Sequence, residues 1–180
     1  FVELVPDGEL TPKMWDLKIG DLMSVRPRAK GIFTKDKKMH HHFMLSTVTG
    51  LAPSMSMVRQ YLHDGGHESS EEKQVFYIMY GASYIDELTY DVELRELAEK
   101  YPDVVKFVPT ISRPTEARND GWTGATGRVN TIAEEYLEKF GLSIDDTKVY
   151  ACGHPGMIED MKEKLPPQGW NFIEERFWKP

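Results

Sequence analysis

From Phe43 onward, short apolar runs alternate with amphipathic stretches, a pattern that restricts the fold to helices wound onto a mostly parallel sheet. Phe43-Met44-Leu45 reads as a strand ending in Ser46-Thr47-Val48-Thr49-Gly50, and Pro53 suits the first turn of a helix running towards Leu62. Val75 to Met79 predicts the next strand. A helix is predicted from Asp86 to Lys100, with Leu88, Val92, Leu94 and Leu97 on one face and Tyr101-Pro102 ending it. Val104 to Val108 then predicts a strand, and Val129 to Phe140 a helix stopped by Gly141. Lys148 to Ala151 predicts another strand, followed by a helix from Met157 to Leu165 that Pro166-Pro167 stops. Asn171 to Ile173 is a last strand before an aromatic tail, and the polar stretch from Glu68 to Lys73 reads as a solvated loop.

Residues 1–42 have a different character. Phe1 to Val5 and Leu22 to Val25 read as strands, separated by a Gly-Glu-Leu-Thr-Pro turn that could open a short helix. Two strands cannot close a barrel, so the expectation is a β-rich fragment completed by upstream sequence or by another chain. His40-His41-His42 invites a metal reading, but successive residues on a strand point to opposite faces and cannot all meet one ion. A polar loop ahead of the Phe43 strand is expected instead. Arg26, Arg28, Lys30, Lys35, Lys37 and Lys38, opposed only by Asp36, form a basic stretch that reads either as solvated surface or as an electrostatically steered dock.

Composition excludes several classes. The 180 residues, 40% of them hydrophobic, suffice for one core, or for one domain plus part of another. A formal net charge of -7 argues against nucleic acid as a partner, because phosphate recognition needs clustered positive charge. Cys152 is the single cysteine, which rules out an internal disulfide and a Cys-rich metal site and makes a reducing cytoplasm the simplest compartment. No apolar run approaches the roughly 20 residues of a membrane-spanning helix, and no secretory pattern opens the chain. The expectation is a soluble cytoplasmic protein without membrane insertion.

Ligands of open parallel sheets bind beyond the carboxyl ends of the strands, so the loops there carry the functional signal. Thr47-Val48-Thr49-Gly50-Leu51-Ala52-Pro53 reads either as a plain turn or as a small-residue loop that lets backbone and helix N–H groups approach a phosphate. Ser112-Arg113 and the downstream Arg128 are either surface residues or two guanidinium forks suited to a ribose 2'-phosphate. Cys152-Gly153-His154-Pro155-Gly156-Met157 follows a strand and opens a helix, which puts Cys152 either in the packing or where a nicotinamide ring would lie. The terminal Phe177-Trp178 is either core or a planar surface for a flat cofactor.

The order of these features carries a resemblance. Thr49-Gly50-Leu51-Ala52-Pro53, Tyr80-Gly81-Ala82-Ser83-Tyr84 with Glu87-Leu88-Thr89-Tyr90, Ser112-Arg113, the Cys152 to Met157 segment and Phe177-Trp178 together resemble the ferredoxin-NADP reductase family, particularly its bacterial members. Gly8-Glu9-Leu10-Thr11 and Asp16 to Asp21 extend the resemblance over almost the whole chain. It implies a Rossmann-like, parallel-sheet NADP(H)-binding domain at 39–180, preceded at 1–38 by the end of an antiparallel β-barrel FAD domain. It also implies hydride transfer between NADP(H) and FAD, with ferredoxin or flavodoxin as the electron carrier docking on the basic stretch.

By the same resemblance, Leu10 and Thr11 hold the FAD pyrophosphate, and Thr49 and Gly50 lie by flavin and nicotinamide. Arg113 and Arg128 are the candidates for the 2'-phosphate, Cys152 flanks the path of the hydride, and Ser112, Gly153 and Met157 are further cofactor-binding candidates. Phe177 covers the isoalloxazine, Trp178 reaches the adenine, and Glu175 is a candidate carboxylate beside the reaction centre. The chain departs from the family pattern with Ser46 and Val48 in place of glycines, and with Ser83 where some members have arginine. The family's Arg-x-Tyr-Ser flavin motif precedes the aligned stretch, so only part of the FAD site is expected from Phe1 onward. Two alternatives stand beside the reductase: a non-catalytic NADP-binding or assembly module, and a related NAD(P)H reductase serving an oxygenase or free flavin.

Overall fold

In the computed structural model, residues 2–28, 31–68 and 73–176 are described. A short helix α1 (Thr11–Trp15) precedes an alternation of strands and helices: β1 (His41–Thr47), α2 (Ala52–His63), β2 (Val75–Ala82), α3 (Asp91–Lys100) and β3 (Val105–Ile111). After these come β4 (Ala125–Thr126), α4 (Val129–Lys139), β5 (Thr147–Cys152), α5 (Pro155–Lys164) and β6 (Asn171–Glu175). The strands form one sheet in the order β4-β3-β2-β1-β5-β6, and every pairing is parallel.

The apolar runs are unbroken because both faces of this sheet are covered. Successive residues of β1 point to opposite sides, so Phe43 and Leu45 pack with Met79, Val149 and the α4 and α5 residues Ala133, Leu137, Ile158 and Met161. Met44 lies on the other side with Ile78, Tyr150 and the α2 and α3 residues Met55, Val58 and Leu94. The α/β expectation is thus met element by element. Helix α4 ends as its composition requires, since Gly141 has φ +64° and its N–H reaches back to the Glu138 carbonyl.

Three expectations need correction. The strands predicted at Phe1 to Val5 and Leu22 to Val25 are absent among the described residues, where 2–5 and 21–26 run without sheet pairing. A strand has no ladder without a partner, and Leu22 and Val25 are exposed. The helix predicted from Asp86 begins at Asp91. Ahead of it lies a separate 3-10 turn, Ile85–Glu87, capped by the Glu87 carboxylate, which accepts the N–H groups of Ser83 (3.1 Å) and Tyr84 (3.2 Å). Val92 consequently leaves the apolar face and is 68% exposed, whereas Leu94 is buried. Of the predicted loop at 68–73, Ser69 to Glu72 lie outside the described residues.

The third correction concerns the histidines. His41 and His42 open β1 instead of forming a loop, and His42 is fully buried. Its ring stacks on Phe76 with centroids 4.9 Å apart, and its Nδ1 lies 3.2 Å from the Tyr150 hydroxyl, which accepts the Asp36 N–H at 2.9 Å. Gln74, also buried, donates its side-chain amide to the carbonyls of Asp36 and Met39 and takes a hydrogen bond from Lys35. The segment before β1 is therefore tied to the amino ends of the strands by a polar network. Lys35 belongs to that network and lies 4.9 Å from the Tyr61 ring centroid, so it is not part of an open basic surface. Among the described residues, no cluster of three or more His, Cys, Asp or Glu is arranged for a metal, and no helix is long and apolar enough to cross a membrane.

Burial, reinforced by the Lys35 charge, lowers the His42 pKa from 6.5 to about 3. The folded state therefore holds this ring neutral while the unfolded chain protonates it below about pH 6.5. The stabilising difference is complete above that pH and is lost as pH falls towards 3, by up to about 1.4 kcal/mol per pH unit. Urea unfolding at pH 7, 6 and 5 should show this decline, and His42→Gln should flatten it. An identical slope in the variant would assign the acid sensitivity elsewhere.

Candidate functional site

The strand order reverses between β1 and β5: β2 and β3 follow β1 on one side, while β5 and β6 lie on the other. Such a switch point opens a crevice at the carboxyl ends of the strands, because the loops leave the sheet in opposite directions. Here the crevice is a cleft of about 400 Å³. Thr47 at the end of β1 and Val48 after it, Gly81 to Ser83 at the end of β2, Ser112 and Arg113 after β3, and Gly127 to Asn130 at the start of α4 line it. His154, Gly156 and Met157 at the start of α5 close the remaining side.

Beside the lining residues Thr47, Val48 and His154 lies a close backbone crossing. A Cβ at Gly50 would stand 2.2 Å from the Cys152 carbonyl oxygen, and one at Gly153 would stand 2.1 Å from Thr47 Oγ1, so neither position has room for a side chain. The left-handed φ of +134° at Gly153 adds a second demand for glycine. Thr47 Oγ1 accepts the His154 N–H at 2.7 Å, which pins the first loop to the last. Val48 has φ +43°, an uncommon and strained conformation for a β-branched residue, and its side of the loop lines the cleft.

Two helix starts border the same space. His154 caps α5 by accepting the Gly156 N–H on Nδ1 at 3.0 Å, while Arg128 precedes α4 in an extended conformation without a side-chain cap. The α4 start is set by β3, since Thr110 Oγ1 donates to the Gly127 carbonyl and the Gly127 N–H donates to the Ile111 carbonyl. At the uncapped α4 start, N–H groups and the positive end of the helix dipole favour an anion, whereas at α5 the early N–H groups are taken by His154 and the dipole alone remains.

On the β2–β3 side, buried Asn119 organises the loops. Its amide donates to the carbonyls of Ser83 (2.9 Å) and Arg113 (2.8 Å), and its carbonyl accepts the Ile85 N–H (2.9 Å). Arg113 donates from Nη1 to the Tyr84 hydroxyl at 2.8 Å, and the guanidinium of Arg118 lies 4.0 Å from the Tyr84 ring centroid. Arg128 has no ion pair among the described residues.

Ser112, Arg113, Arg128 and Met157 thus come together on one cleft, while Gly50 and Gly153 form the backbone crossing next to it and are not among its lining residues. Thr49 directly follows the lining residues Thr47 and Val48 but is not itself among the lining residues. Cys152 ends β5 beneath the crossing, in register with Ser46 of β1 and Glu175 of β6. Burial first, and the Glu175 charge second, push its thiol up to about 12. Leu10 and Thr11 open α1 and are not among the cleft residues. The Thr11 hydroxyl is committed locally, accepting the Val5 N–H at 2.9 Å and donating to the Val5 carbonyl. Phe177 and Trp178, like Lys30, lie outside the described residues. Thr47, Gly81 and His154, quoted within motifs but given no role, also line the cleft, and Asn130 in the first turn of α4 lines it without having been singled out.

Comparison with known proteins gives this cleft its relatives. The family model described as the oxidoreductase NAD-binding domain matches residues 44–163, which contain every cleft residue. A flavodoxin/ferredoxin–NADP reductase from Escherichia coli is 29% identical over 89% of this chain and 62% of its own length. NADH-cytochrome b5 reductase 1 from Candida glabrata is 25% identical over 94% of this chain and 56% of its own. The chain therefore spans less than two thirds of these curated relatives. A solved ferredoxin NADP+ reductase from Neisseria gonorrhoeae, with bound FAD and NADP, shares the fold at a TM-score of 0.77 and 20% identity, over 97% of this chain and 72% of that one. With the parallel sheet, its switch-point cleft and this match in agreement, the chain belongs to the oxidoreductase NAD-binding domain family, among whose members the ferredoxin-NADP reductases are its relatives.

Proposed function

We propose that the chain is the NADP(H)-binding part of a FAD-dependent oxidoreductase that exchanges electrons between NADP(H) and a ferredoxin or flavodoxin. The observation that carries this reading is the switch-point cleft, where Arg113 and Arg128 share one space with the starts of α4 and α5. A dinucleotide fits these residues. Gly50 and Gly153 let the two loops beside the cleft approach closely, the uncapped start of α4 and the dipole of α5 favour a pyrophosphate, and two arginines offer bidentate donors to a 2'-phosphate. Ser112 would add a hydroxyl to that phosphate. Thr49, Cys152, Gly153 and Met157 would border the nicotinamide, with the protonated Cys152 thiol acting as a wall and not as a nucleophile.

For FAD the fit is narrower. With its hydroxyl engaged by Val5, Thr11 would offer the flavin nucleotide only its backbone, beside an exposed Leu10. When bound, FAD supplies the conversion between two-electron and one-electron transfer. This chain's part is to orient the nicotinamide and exclude water around it. Glu175, at the end of β6 beside Cys152, is the proposed carboxylate near the reaction centre, and Phe177 and Trp178 the proposed stacking aromatics. Residues 1–38 would end the FAD domain and 39–180 form the nucleotide domain. Arg26, Arg28, Lys37 and Lys38 are exposed and would form the carrier's dock. A second reading, an NADH-linked reductase for a cytochrome b5-type carrier, is supported by the relatives of that name.

Calorimetric titration with NADP+ and NAD+ tests the first reading. Arg113→Ala and Arg128→Ala should each weaken NADP+ by roughly ten- to a hundredfold, the usual cost of a lost charged hydrogen bond, and leave NAD+ nearly unchanged. Equal losses for both nucleotides would remove the 2'-phosphate role. Cys152 offers a separate check. At pH 8 its thiolate fraction is depressed, so iodoacetamide should label the native chain about two to three orders of magnitude more slowly than the urea-unfolded chain. Rapid labelling of the native form would mean an exposed, reactive thiol.

A further inference from the structure

The β2–β3 side of the cleft carries more negative than positive charge. Arg113 pairs with Glu116 (3.4 Å), and Arg118 pairs with Asp86 (2.7 Å) and approaches Glu87 (3.9 Å). Two guanidinium groups thus face three carboxylates. Glu116 is the one joined to Arg113 itself. Its Oε1 accepts from Arg113 Nη1, while its Oε2 accepts the Tyr84 hydroxyl proton at 2.7 Å, and that same hydroxyl accepts from Arg113 Nη1. The three groups close a ring of hydrogen bonds at the cleft wall. Neighbouring contacts hold the ring in place, because Asn119 fixes the Arg113 carbonyl and Arg118 covers the Tyr84 ring.

We propose that Glu116 is a specificity-determining residue of this site, one that engages Arg113 and thereby favours a ribose 2'-hydroxyl over a 2'-phosphate. The inference rests on the reading of the cleft as a dinucleotide site. A 2'-phosphate on Arg113 competes with Glu116 for the same guanidinium charge and stands beside that carboxylate, where like charges repel. A 2'-hydroxyl brings no charge and can itself donate a hydrogen bond to Glu116. The same arginine that would favour NADP(H) is thus held in check by its own neighbour.

The test is a double-mutant cycle read by titration with NADP+ and NAD+. Both Glu116 and Arg113 are about half exposed, so the substitutions leave the core untouched. Glu116→Gln should raise the ratio of NADP+ to NAD+ affinity by about fivefold, mainly through tighter NADP+, the scale set by an exposed ion pair. In an Arg113→Ala background the same substitution should move the ratio by less than about twofold, because the shared partner is gone. An unchanged ratio in Glu116→Gln would overturn the role of Glu116 while leaving the cleft reading intact. An equal shift with and without Arg113 would overturn the route through that arginine. Failure of the wild-type chain to bind either nucleotide would instead overturn the cleft reading itself, and this proposal with it.

Discussion

Everything at the cleft depends on how closely the loop after β1 approaches the loop after β5. Gly50 lies against the Cys152 carbonyl, Gly153 lies against Thr47, and one hydrogen bond from the His154 N–H to Thr47 Oγ1 joins them. Side chains at either glycine would push the loops apart and with them the start of α5. Because β1 and β5 are the strands between which the sheet reverses direction, this contact fixes the depth of the crevice. The strained backbone at Val48 sits on that same crossing, where the surrounding contacts over-determine it.

The opposite wall is built by polar side chains instead of close packing. Glu87 gathers the N–H groups of Ser83 and Tyr84, and Asn119 bridges Ser83, Ile85 and Arg113. Buried hydrogen bonds of this kind hold loops that lack an apolar core of their own. One wall is therefore set by the absence of side chains and the other by their hydrogen-bonding capacity. A ligand seated between them would meet Thr47, Val48, His154 and Met157 on one side and a charged, hydroxyl-bearing surface on the other.

The sheet was legible in the sequence because its strands are buried on both faces and read as unbroken apolar runs, as at Phe43-Met44-Leu45 and Val75 to Met79. The cleft was legible where its residues carry distinctive chemistry, at Arg113, Arg128 and the Cys152 to Met157 segment. What escaped was decided by tertiary partners. His42 looks polar in sequence, yet Phe76 and Tyr150 make its site a buried one. Asp86 looks helical until Glu87 turns back on Ser83, and nothing local marks Asn119 as the residue that joins two loops 36 and 6 positions away. The strands expected near the amino end failed for the same reason in reverse, since a strand-like composition at Leu22 to Val25 forms no ladder without a neighbour.

The two-residue β4 pairs only with Thr110 and Ile111, so the outer side of β3 is left open from Val105 to Pro109. Such an open flank is a template on which a foreign strand could polymerise. Pro109 lacks the N–H such an intruder would need, and Lys106 adds a charge that a stacked copy would have to bury. The sheet is thereby terminated chemically at a margin where, among the described residues, no strand pairs with it, and the chain can leave this margin unpaired without offering it for fibril growth.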